Sequence, residues 1–448
     1  MERGESASLK KAIGLPHATA MVVGTIIGAS IFVQPSEITT LVPSLLGIFL
    51  VWIISGVLTM FGALVCAELA SIFSRSGGVY IYLKEAFSPA LGFLWGWAMF
   101  WVMHSGIIAV IAVVFARYVA YFIPLDPLAI KAVAIIVIIA LSFINYIGVK
   151  HGSMLQTLFT FGKLVAILAI IILGFSLGSG LTTNYQTEEM LTFSVEFGDF
   201  GLALVAGLFA FGGWHMVSYN AGETIQPRKT IPRALILGTA IVIFCYIALN
   251  AVYMYVLPLE VVASSTRVAA DAADAVIGSG GGAVMSGLVV FSTFGALSGI
   301  ILAGPRVYYA MARDGLVFKW MGEIHPKYRT PHRSILIQAI WSSILVSTGT
   351  YRVLFTRVIY TEWIFFGLMA IGLFVLRKRS DLKRDYSVWG YPVVPVIFIL
   401  SAFAIVANQI YSDLTECLFG LSLVLIGLPV YHFWAKTGMT KEENHESN

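Results

Sequence analysis

The chain alternates between long apolar runs and short polar segments that carry most of its charge. A helix needs about 20 mainly apolar residues to cross a bilayer core. By that measure the pattern predicts about twelve spans, near 13–36, 45–73, 89–122, 128–148, 154–177, 200–222, 232–256, 282–312, 334–350, 357–376, 391–411 and 416–435. The third and eighth are long enough to tilt. Two runs are interrupted from within: Gly24-Thr25-Ile26-Ile27-Gly28-Ala29-Ser30-Ile31-Phe32 in the first, and Gly207-Leu208-Phe209-Ala210-Phe211-Gly212-Gly213-Trp214 in the sixth. Inside a bilayer no water satisfies a loosened backbone, so a spanning helix is normally continuous. Glycines of this kind either let helices pack closely or break a helix around a polar cavity, where its freed N–H groups bind an anion such as a carboxylate. Two such stretches in matching positions favour the broken-helix reading.

The breaks are five spans apart. That spacing predicts an all-α integral membrane protein with a five-plus-five inverted repeat and discontinuous first and sixth helices. One transporter domain then covers 1–440, with repeats at 10–177 and 200–376, two appended helices at 391–435, and a disordered polar tail at 441–448. Lys and Arg gather in alternate loops, including Lys10, Lys11, Arg75, Lys84, Arg228, Lys229, Arg313, Lys319, Arg377, Lys378 and Arg379. The other loops hold little beyond Lys131, Arg267, Arg352 and Arg357. The positive-inside rule then places both termini in the cytoplasm of a multi-pass cell-membrane protein, which requires an even number of spans.

Composition agrees. The 448 residues are 58% hydrophobic and 12% charged, about half the charge of a soluble domain. The formal charge of +4 is no nucleic-acid signature, because the basic residues lie between spans. Cys66, Cys245 and Cys417 are far apart and form no C-x-x-C pair, so burial is expected rather than a disulfide or metal site. No P-loop, HExxH, G-x-S-x-G or cofactor fingerprint occurs, so neither an enzyme nor a cofactor is expected.

Lys163 stands out. It lies roughly nine residues into the fifth span, about 13 Å deep at 1.5 Å per residue. A charge at depth costs about 2.5–3.5 kcal/mol on insertion scales, and snorkelling to the headgroups is difficult from there. Glu68, His104, Arg117, Glu223, Arg306 and Glu362 also fall in spans. Glu68, Glu223 and Arg306 sit toward one set of ends, where they either pair across a gate or are solvated at the interface. Phe209, Phe211 and Trp214 flank the second break, in position to cap a small substrate.

These stretches resemble a known family. The two broken runs with Glu223, Ala67-Glu68-Leu69-Ala70, Ser76-Gly77-Gly78-Val79-Tyr80, Phe291-Ser292-Thr293-Phe294-Gly295 followed by Arg306, Ala312-Arg313-Asp314-Gly315 and Trp389-Gly390-Tyr391-Pro392 are together similar to the L-amino acid transporter branch of the amino acid–polyamine–organocation superfamily. The resemblance implies sodium-independent transport of L-amino acids by alternating access, often by exchange. It implies that the substrate carboxylate meets N–H groups of Thr25 to Ser30. The ammonium would meet carbonyls around Ile26 and Ile27 and around Phe209, Ala210 and Phe211, beside Gly212. Phe209 matches an aromatic gate. Lys163 matches a lysine that replaces a sodium ion and ties the first helix to the eighth near Ser292. Ser30 stands where the family usually has Gly, and His215 where many relatives have Asn. Animal members join a heavy chain through a cysteine between the third and fourth helices; the segment Phe122 to Pro127 has none, so no disulfide-linked heavy chain is expected.

The expected partners are therefore a small L-amino acid and the lipid bilayer, with no nucleic acid. Neutral substrates are expected, because neither broken stretch holds an acidic residue. A proton-coupled amino acid or polyamine symporter on the same fold is the alternative, and a channel or sensor without turnover the alternative from another class.

Overall fold

The computed structural model describes residues 11–28, 30–178, 196–278, 280–348 and 351–434; the predicted tail and Ala29 lie outside them. The described chain is helical throughout, with one isolated strand-like bridge between Ile13 and Thr224. In chain order the main helices are α1 (Leu15–Ile26), α2 (Gln34–Leu41), α3 (Leu45–Ile72), α4 (Pro89–Val119), α5 (Pro127–Ile147), α6 (Val149–Leu177), α7 (Phe197–Ala210), α8 (Pro227–Val256), α9 (Gly281–Arg313), α10 (His332–Thr348), α11 (Tyr351–Arg377), α12 (Val393–Ser412) and α13 (Leu414–Leu425). Ten helices among the described residues are long and apolar enough to span a bilayer. The other two of the predicted twelve are accounted for. The first span is split into α1 and α2, and the ninth, α10, has only 17 residues, about 26 Å of helix.

Local chemistry sets the ends. Ser44 Oγ and Asp126 Oδ1 accept from the backbone N–H groups of Gly47 and Ala129, capping α3 and α5. Large apolar side chains such as Leu128, Phe161, Phe244 and Leu400 remain exposed on the outer faces, as lipid-facing positions require. Inside, α3 lies along α8, α4 along α9, and α1 against both α6 and α8. The two interrupted runs are thereby brought together, with Thr25 of the first against Gly213 of the second.

Candidate functional site

Helix α6 is polar toward the protein and apolar toward lipid. Gln156, Thr160, Lys163 and Ile167 follow helical spacing and are each no more than 2% exposed. Met154, Leu158, Phe161, Val165 and Leu168 form the exposed opposite stripe. The inward stripe packs on α1 at Gly24, where a Cβ would fall 2.3 Å from Thr160 Oγ1. This contact lets Thr160 donate to the Ala20 carbonyl at 3.2 Å. It also brings Lys163, nearly one turn further on, to the end of α1. Its Nζ donates to the carbonyls of Gly24 at 3.1 Å and Ile27 at 2.6 Å. The ammonium therefore sits at the negative end of a half-helix dipole, on carbonyls that have no helical partner. The tie to the eighth helix implied by the resemblance is not made: Ser292 Oγ is buried without a hydrogen-bond partner among the described residues, and both bonds from Lys163 go to the first helix.

The second break follows α7. Gly207 is a packing glycine like Gly24, since a Cβ there would lie 2.4 Å from Ser55 Oγ on α3. Gly213 has a different task. Its φ of +98° is a left-handed conformation that favours glycine, and a Cβ would lie 3.1 Å from the Thr25 carbonyl. Thr25 Oγ1 is 3.2 Å from the Gly213 carbonyl, so the two breaks touch. After the turn the chain continues as a 3-10 helix, Trp214–Glu223. Tyr246, on α8, was given no role by the sequence reading. Its hydroxyl lies 2.9 Å from the Ile26 carbonyl and 3.0 Å from the Ala210 carbonyl, a single donor between the C-terminal ends of both half-helices. Edge-on contact with Trp52 and a tilted contact with Phe211 hold its ring.

Between the breaks lies a cavity of about 20 Å³, enough for one ordered water. Of the residues expected from sequence, Thr25, Ile26, Gly28, Ser30, Phe209 and Gly212 line it. Ile27, Ala210 and Phe211 do not. The Ile27 carbonyl is turned to Lys163, the Ala210 carbonyl to Tyr246, and the Phe211 ring packs on Trp52 and Tyr246. Ala29 lies outside the described residues. The lining also takes in Ile107 and Ile111 from α4, Ile300 from α9, and Glu362, Trp363 and Phe366 from α11. Linear spacing carried no signal for these apolar residues. His215 does not line the cavity and is packed among Trp95, Trp214, Tyr219 and Phe366. His104 Nε2 lies 2.8 Å from the Ile300 carbonyl.

Beyond the cavity the polar groups pair. Arg306 donates Nε–H and an Nη–H to the two oxygens of Glu223, each at 3.2 Å, with both side chains no more than 1% exposed. Planar two-point pairing suits a guanidinium and carboxylate, and it docks the end of the 3-10 segment on α9. Glu68 makes a separate two-point pair with Arg377 and accepts from the Val388 N–H at 2.8 Å.

Similarity to known proteins is consistent with this arrangement. The family model described as amino acid permease matches residues 13–428. The serine/threonine exchanger SteT of Bacillus subtilis (strain 168) is 34% identical over 432 residues, covering 96% of this chain and 98% of the relative. The b(0,+)-type amino acid transporter 1 of Rattus norvegicus is 34% identical over 436 residues, 95% and 88% of the two chains. The large neutral amino acids transporter small subunit 2 of Homo sapiens is 31% identical over 447 residues, 96% and 81%. A multi-pass helical chain with two broken helices meeting at one cavity, matched by the permease model along nearly its whole length, belongs to the amino acid permease family, in the L-amino acid transporter branch of its superfamily.

Proposed function

We propose that the protein is a sodium-independent amino acid exchanger of the cell membrane working by alternating access, with both termini cytoplasmic. The observation that carries this reading is the fixed ammonium of Lys163 on the carbonyl end of α1. Transporters with broken helices place coupling cations at such carbonyl ends; a built-in cation leaves no need for a dissolved one. The serine/threonine exchanger among the relatives supports exchange. The substrate carboxylate is received at the first break, on the Ser30 side of Gly28, whose own N–H is held by the Ile26 carbonyl at 2.7 Å. Its ammonium is received by carbonyls beside Thr25 and Phe209, and Phe209 closes over it. The cavity is smaller than an amino acid, so binding entails movement of its walls. The two halves, 10–177 and 200–376, act as inverted repeats, supported by the pairing of matching helices.

Cys66, Cys245 and Cys417 are all buried, and Phe122 to Pro127 holds no thiol. Both features support an exchanger that needs no disulfide-linked heavy chain. The test is uptake of radiolabelled L-amino acids into proteoliposomes in sodium-free buffer, with the lumen empty or preloaded. Uptake that requires preloading is expected. Uptake into empty vesicles driven by a proton gradient would overturn exchange in favour of symport.

A further inference from the structure

Within the cavity one side chain is out of keeping with the rest. The breaks contribute glycines, the hydroxyls of Thr25 and Ser30, and apolar side chains such as Phe209 and Trp214; from the other helices come apolar residues such as Ile107, Ile300 and Trp363. Glu362 is the exception, the only ionisable side chain in the lining among the described residues. It is 6% exposed and has no hydrogen-bond or ion-pair partner among the described residues. The buried basic side chains Lys163 and Arg306 are committed elsewhere, to the Gly24 and Ile27 carbonyls and to Glu223. A buried carboxyl group without a partner is costly whether or not it is ionised, because its oxygens are left without a hydrogen bond. A ligand that brings a donor removes that cost, and one without a donor does not.

We infer that Glu362 is a specificity-determining residue, and that the side-chain compartment of the cavity selects amino acids whose short side chain carries a hydrogen-bond donor, a hydroxyl or an ammonium. The inference rests on the proposed amino acid transport. It arises from helix α11, remote in sequence from both breaks. The apolar walls limit the size of the side chain, and the carboxylate sets its polarity. It also disfavours acidic side chains, which would place two carboxylates together. A site built to bond a substrate hydroxyl discriminates strongly against the analogue lacking it, because its own polar group is then left unpaired.

The experiment is competition against radiolabelled exchange in proteoliposomes, comparing L-serine, L-alanine and L-2,3-diaminopropionate in the wild type, Glu362→Gln and Glu362→Leu. Serine and alanine differ by one hydroxyl. The wild type is expected to favour serine over alanine by about tenfold, the range for a hydrogen bond whose absence leaves a buried polar group unpaired. That ratio should approach one in Glu362→Leu and fall partway in Glu362→Gln, which keeps the shape of the side chain. Preference for diaminopropionate over serine, lost in both variants, assigns an ammonium partner instead of a hydroxyl within the same inference. An unchanged ratio in both variants overturns it, as does a wild type with no preference for either donor-bearing substrate. An equal loss for alanine and serine also overturns it, since that places Glu362 at the substrate's own ammonium. Absence of exchange for every amino acid in the wild type defeats the transport reading itself, which separates the two failures.

Discussion

At the first break the last carbonyls of α1 meet a formal charge, Lys163, carried in by α6 from 136 to 139 residues away. At the second, the last carbonyls of α7 meet a neutral hydroxyl, Tyr246, and a tight turn in which the Gly212 N–H bonds to the Phe209 carbonyl at 2.9 Å. Both breaks solve the same difficulty, backbone groups left unpaired at bilayer depth. The first has a turn of its own, the Gly28 N–H on the Ile26 carbonyl at 2.7 Å, but its Gly24 and Ile27 carbonyls are closed by another helix and depend on how α6 sits. The second is closed largely by its own turn and is anchored below by Glu223 on Arg306. The first break is thus tied to a neighbouring helix by a charge, and the second by a neutral hydroxyl and a buried ion pair. Tyr246 spans both, so the two ends move together or lose that bond.

Substitutions can break this contrast. The largest expected effect is at the anchor of the second break: Arg306→Ala leaves Glu223 buried and unpaired and should cost about 3–5 kcal/mol, read as loss of thermal stability in detergent. The double substitution Arg306→Met with Glu223→Leu should recover much of that loss, and failure to do so would show that the pair is not the anchor. Next, Lys163→Ala removes two charge-assisted bonds, whose net worth is below their sum because burial of the ammonium is relieved at the same time. Exchange in proteoliposomes should fall by about a hundredfold or more while the protein still folds; wild-type rates would remove Lys163 from the mechanism.

Gly213→Val forces a β-branched side chain into a positive-φ turn and against the Thr25 carbonyl, with an expected cost of about 1–3 kcal/mol and a weaker apparent affinity for substrate. An unaffected variant would mean that the turn rearranges freely. The smallest effect belongs to Tyr246→Phe, which removes one buried donor at about 1 kcal/mol. If the hydroxyl couples the ends, this variant combined with Lys163→Ala should deviate from additivity, as groups sharing one network do; strict additivity would make the two closures independent.

Part of this was legible in the chain. Lys163 announced itself by depth, and the inward stripe Gln156, Thr160, Lys163 and Ile167 was present at helical spacing for a reader who looked for polar rather than apolar periodicity. Glycine was more ambiguous. The same residue type serves close packing at Gly24 and Gly207, where a Cβ would strike Thr160 or Ser55, and turn geometry at Gly213. No local rule separates these uses, because the deciding atom belongs to another helix. Tyr246 carries no linear signal for the same reason, Glu362 is marked by its charge within a span although nothing in the chain says what it faces, and the tie from Lys163 to Ser292 is expected where the structure directs the lysine to the first helix alone.

What the sequence determined by itself was the solvent, the spans and the places where helices fail. Apolar run length and glycine content act within about 20 neighbouring residues, and bilayer thickness reads them directly. The tertiary structure alone decided which donor satisfies which freed carbonyl, and which side chains close the cavity. Tyr246 meets Ile26 across 220 residues of chain and Glu223 meets Arg306 across 83. Such pairings depend on the relative depth and rotation of packed helices, quantities that no linear pattern contains.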